Sequence, residues 1–130
     1  MRAAFAVLMV VIVGQALAQS DVTGLQCEGN YSEFLSGLRD VPNKGGYVEI
    51  QKSSVKIVAV IGFEGTYKVH TANEASVFFM HPDDELIQGS INRFTGQLQI
   101  HQQSKKPRSG DFGGFDRMWE GTCTPAHRMF

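Results

Sequence analysis

The chain has 130 residues, 42% of them hydrophobic, with 12 Lys and Arg against 13 Asp and Glu. That length suits one domain with a modest core rather than two, and a near-neutral balance argues against the broad basic surface of a nucleic-acid binder. The only cysteines are Cys27 and Cys123.

Met1-Arg2 supplies a cation, and an apolar stretch from Ala3 to Gly14 leads into Gln15-Ala16-Leu17-Ala18-Gln19. A short apolar run ending in small residues at Ala16 and Ala18 is the pattern of a secretory signal peptide, here residues 1–18, with cleavage before Gln19. It is too short for a bilayer span, and no later stretch approaches the roughly 20 apolar residues a transmembrane helix needs. No cysteine follows the cleavage site, so no lipid anchor is implied. Residues 19–130 are expected to form a single secreted domain, which without Arg2 carries 11 Lys and Arg against 13 acids, a net charge of −2. In an oxidising compartment the two solitary cysteines are expected to form one disulfide, Cys27 to Cys123.

Beyond the leader, short runs rich in Val, Ile, Phe and Tyr recur between Gly, Asn, Pro and Asp clusters without sustained helical periodicity, which predicts an all-β domain. The expected strands are 22–29, 47–52, 55–63, 66–71, 75–80, 85–94, 97–102 and 116–123. Segment 32–38, with Phe34, Leu35 and Leu38 apolar and Ser32 as cap, is the candidate for a short helix. Residues 42–46 and 109–114 read as glycine-rich connections, Glu64-Gly65 and Pro82-Asp83-Asp84 as short turns, and Thr95-Gly96 as a tight hairpin. The intervals leave no room for crossover helices, so an antiparallel meander of about eight strands follows. A bridge between the first and last strands brings the sheet edges together, as a small barrel or a sandwich does. Runs 55–61 and 75–80 are apolar at odd and even positions alike, so both faces need cover. Segment 31–38 is the expected cover, and an exposed apolar patch serving as a binding site is the alternative.

The sharpest local motif is Met80-His81-Pro82-Asp83-Asp84-Glu85. It resembles the zinc signature of the LmbE/PIG-L family of amide N-deacetylases, and the resemblance implies zinc ligation by His81 and Asp84 with Asp83 as general base. That family sets the motif in an α/β domain with a distant third histidine ligand, whereas the 45 residues that follow here read as strands. Catalytic zinc needs three convergent protein ligands and an open position, so the segment is read as a polar hairpin. No metal site, cofactor or catalytic residue is predicted. His70, His101 and His127 show no metal-ligand spacing. Lys105, Lys106 and Arg108 read as a solvated loop, as does Asp111-Phe112-Gly113, and Asn30-Tyr31-Ser32 is a formal glycosylation sequon.

The early cysteine, the run from Gly89 to Gly96 (GSINRFTG) and the ending from Glu120 to Phe130 (EGTCTPAHRMF) together resemble small uncharacterised periplasmic proteins of alphaproteobacteria. The resemblance implies a compartment and no activity. The expected function is that of a non-enzymatic periplasmic or secreted binding module for a small apolar ligand or a protein partner. A zinc-dependent hydrolase of N-deacetylase type on His81 and Asp84 is one alternative. An envelope-associated structural protein is the other.

Overall fold

Side chains on a strand alternate between two faces, so a sheet with one apolar face must either pack on another layer or curl round that face. This chain curls. The computed structural model describes residues 22–105 and 114–126. Eight strands run in chain order: β1 (Thr23–Glu33), β2 (Leu38–Ile50), β3 (Ser54–Val58), β4 (Gly65–Ala72), β5 (Ser76–His81), β6 (Asp84–Asn92), β7 (Gln97–Gln103) and β8 (Phe115–Pro125). Each pairs antiparallel with the next and β8 pairs with β1, which settles the choice between barrel and sandwich as a closed barrel.

The seam carries the expected disulfide. Cys27 and Cys123 lie directly opposite each other in the β1–β8 register with Cα atoms 4.1 Å apart. Linking positions 96 residues apart stabilises the fold by at most roughly 4–5 kcal/mol in the chain-entropy model.

Inside, Val48, Val55, Ile57, Tyr67, Val77, Phe79, Ile91, Leu98, Ile100 and Trp119 form a continuous buried core. Large rings fit because small residues face them. A Cβ built on Gly89 of β6 would lie 2.4 Å from the Phe79 ring, so only glycine leaves room for that phenyl group. At the β6–β7 turn Gly96 has φ 75°, the conformation the tight hairpin at Thr95-Gly96 requires, and its N–H bonds the Asn92 carbonyl at 2.9 Å.

Three local expectations are corrected. Segment 32–38 is not a helix but the end of β1, a turn and the start of β2, with Glu33 paired to Leu38. Ser32 Oγ accepts the N–H of Asp40 across the hairpin at 3.0 Å instead of capping a helix. Pairing of Ser32 and Glu33 with Met118 and Arg117 of β8, continued by the Phe34 N–H donating to the Asp116 carbonyl at 2.9 Å, outweighs the weak helical pattern. Leu35 and Leu38 are 61% and 43% exposed, so the segment does not cover the barrel wall.

Residues 42–46 are not a loop either, because they lie within β2. Their glycines mark a bulge, where the register steps from Cys27↔Gly46 to Gly29↔Asn43. Pro42 is tolerated because β3 pairs with β2 only along Tyr47–Ile50, so the outer edge of β2 at Pro42 has no strand to bond.

The run 55–63 splits. β3 ends at Val58, Ala59 takes φ 56°, and the chain folds inward so that Val60 and Phe63 are buried at 0% and 1% exposure. The doubly apolar run is therefore a strand followed by a plug. Val58 and Phe78 remain on the outer wall at 41% and 43% exposure.

Candidate functional site

The two ends of the barrel are built differently, and the difference begins with side-chain size. Around the β3–β4 loop, at the base, Trp119, Tyr67, Phe63 and Tyr31 are all buried. Tyr31 meets Phe63 edge-on at 6.2 Å and Tyr67 meets Phe79 at 5.3 Å, geometries that aromatic pairs favour. Arg117 reaches the Phe63 ring, with Cζ 4.5 Å from its centroid. It donates to Gln102 Oε1 at 2.5 Å and to the Gly62 carbonyl.

Asn43 fastens this plug. Its Oδ1 accepts from Trp119 Nε1 at 3.0 Å and from the Ile61 N–H at 2.8 Å, while its Nδ2 donates to the Ala59 carbonyl at 3.1 Å. One buried amide thus joins β2, β8 and the β3–β4 loop. The Tyr67 hydroxyl donates to the Phe63 carbonyl at 2.8 Å. Burial pushes its pKa up to about 12, partly opposed by the Arg117 charge.

The opposite end is open. There the side chains shorten to Val69, Val77 and Ile91, and a cavity of about 810 Å³ opens between the strand ends. Leu25, Ile50 and Cys123 complete its apolar wall. Eight strands is the number at which a barrel interior is filled by side chains or holds one small ligand, and this barrel does the first at its base and leaves room for the second at its mouth. The rim carries Lys52 from the β2–β3 loop and Arg93 and Phe94 from the β6–β7 turn. Phe94 is 78% exposed. Its backbone is held firmly, since Asn92 Oδ1 accepts the N–H groups of Phe94 and Thr95 at 2.9 and 3.0 Å and the Arg93 N–H bonds the Ala75 carbonyl at 2.7 Å.

His81, Asp83 and Asp84 lie at the base end, away from this mouth. β5 ends at His81 and β6 begins at Asp84, so the motif is the two-residue turn of a hairpin. His81 Nδ1 accepts the Asp83 N–H at 3.1 Å, Asp84 Oδ1 accepts the Leu86 N–H at 3.0 Å, and the imidazole packs edge-on against Tyr67 at 5.6 Å. These are the contacts of a local turn. Among the described residues no three His, Cys, Asp or Glu side chains converge as a metal site.

His70 is exposed. His101 lies on the outer wall against Phe115, with ring centroids 4.5 Å apart; its buried Nδ1 has no hydrogen-bond partner among the described residues, and desolvation lowers its pKa. Residues 1–21 with the expected signal peptide, residues 106–113 with most of the basic cluster, and His127 lie outside the described residues.

Asn43 and the rim trio of Lys52, Arg93 and Phe94 belong to no motif that singles them out in the sequence. A phenylalanine next to a tight hairpin turn was the available signal, because an aromatic ring placed there has no core to enter. Among the described residues no helix is long and apolar enough to cross a membrane. Lys56, Lys68, Gln88 and Gln99 alternate with inward apolar residues, the reverse of the lipid-facing pattern of a membrane barrel. No protein-family model, curated protein or solved structure matches the chain.

Proposed function

We propose that this chain is an exported, non-enzymatic binding protein whose barrel mouth takes up one small apolar molecule. The observation that carries the reading is the cavity of about 810 Å³, apolar in its depths, at one end of a barrel whose other end is plugged. Small-molecule sites fall in the range of roughly 300–1,000 Å³ with mainly apolar walls and a few polar groups at the edge. Export to an oxidising compartment accords with the leader pattern and with both cysteines being joined, and the resemblance to alphaproteobacterial periplasmic proteins points to the same place.

Titration with a neutral, environment-sensitive dye such as N-phenyl-1-naphthylamine tests the reading. Saturable binding of one dye per chain is expected, weakened in Ala72→Trp, which narrows the mouth from an exposed lining position. Absence of saturable binding, or binding indifferent to that substitution, would remove the mouth as the site. Intact-mass measurement on exported protein should give Gln19 as the first residue.

A further inference from the structure

We infer that the mouth selects an amphipathic anion, a free aliphatic carboxylate whose chain enters the barrel and whose head stays at the rim with Lys52 and Arg93; this rests on the mouth being a ligand site. The residues lining it include these two cations and no Asp or Glu. Glu74, in the β4–β5 loop at the same end, is not part of the lining.

Topology sharpens the point. In a ring of eight sequential strands the β2–β3 loop and the β6–β7 turn stand on opposite sides. The two cations therefore face a ligand from both flanks, and their fields add over the opening. Low-dielectric walls beneath strengthen that field relative to open solvent. Below the rim the lining turns apolar at Leu25, Ile50, Val69 and Val77, which offers a carboxylate no partner and an alkyl chain a dry surface. A molecule charged at one end and apolar along the rest matches both levels.

Calorimetric titration of the disulfide-bonded protein with decanoate, decanol and decyltrimethylammonium reads the head-group preference at constant chain length. Decanoate is expected to bind tightest and the ammonium weakest. Lys52→Gln/Arg93→Gln should weaken decanoate about three- to tenfold, the range for two exposed ion pairs, and leave decanol unchanged. Both substituted positions are exposed, and the double variant's thermal melt separates misfolding from lost affinity. Raising salt to about 0.5 M should shrink the decanoate preference in the wild type.

Equal binding of decanoate and decanol would overturn the anion preference while leaving the apolar pocket intact. Tighter binding of the ammonium would overturn it as well. Failure of all three would remove the pocket and the preference together. Sedimentation with phosphatidylglycerol vesicles in the absence of decanoate binding would overturn the free-carboxylate assignment in favour of a membrane surface.

Discussion

At the base of the barrel Trp119, Tyr67, Phe63 and Tyr31 fill the interior and a buried amide locks them, whereas at the mouth Val69, Val77 and Ile91 stop short and leave a cavity of about 810 Å³. Both ends rest on the same eight strands and the same inward alternation. What separates them is side-chain volume and the direction taken by one loop. The β3–β4 loop turns in at Ala59 and delivers Val60 and Phe63 to the base, while the turns at the mouth stay at the rim. Aromatic packing and the buried Asn43 amide are thereby gathered at one end, while the other keeps open space beside the Cys27–Cys123 bridge.

The largest break in this contrast is Trp119→Ala. Removing a wholly buried indole should destabilise the fold by about 3–5 kcal/mol, read as a lowered denaturant midpoint. A loss below about 1 kcal/mol would mean the base is no better packed than the mouth. Asn43→Ala comes next. It leaves Trp119 Nε1 and the Ile61 N–H without their acceptor, and about 1–3 kcal/mol is expected. Because that amide joins three elements, proteolysis at the β3–β4 loop should also speed up; an unchanged cleavage rate would show that the plug holds without it.

A smaller effect comes from His101 on the outer wall, where desolvation lowers the folded-state pKa below the ordinary value of 6.5. The unfolded chain takes up a proton near pH 6.5 and the folded chain only at lower pH. Stability from this group is therefore present above pH 6.5 and lost as pH falls through the folded pKa. His101→Phe, which keeps a ring against Phe115, should flatten the acid limb of a melting-temperature profile. An identical limb in the variant would assign the slope to other groups.

The architecture was readable where alternation and turn chemistry agree. Eight strands, an antiparallel meander and a bridge between the first and last strands followed from β-rich runs, short intervals and two cysteines. The base was hidden because its pieces look like something else. Residues 42–46 carry the composition of a loop, yet their glycines form a bulge and Asn43 turns inward from it. The run from Val55 to Phe63 is apolar throughout, and nothing local marks Ala59 as the residue that reverses the chain. Segment 32–38 has the spacing of a helical turn, but its fate is decided by β8, more than 80 residues away. The mouth was hidden for a different reason: a cavity is defined by side chains that are too short to fill it, and shortness at Val69, Val77 and Ile91 has meaning only once those positions are known to share one end.

Phe94→Ala should have the least effect on stability and is the finest discriminator between the two ends. The ring is largely exposed, its turn is held by Asn92 Oδ1 and by Gly96, and truncation leaves those hydrogen bonds intact. A stability change within about 0.5 kcal/mol is therefore expected. Its contribution should appear only when ligand is present. An aromatic face at the rim can cover the outer part of an apolar molecule, and losing such a contact should weaken binding of the neutral dye about two- to tenfold. A loss of stability above about 1 kcal/mol would mean that the rim belongs to the core and that the two ends differ less than their side chains imply. Unchanged dye affinity with unchanged stability would leave Phe94 outside the site and confine binding to the apolar walls below it.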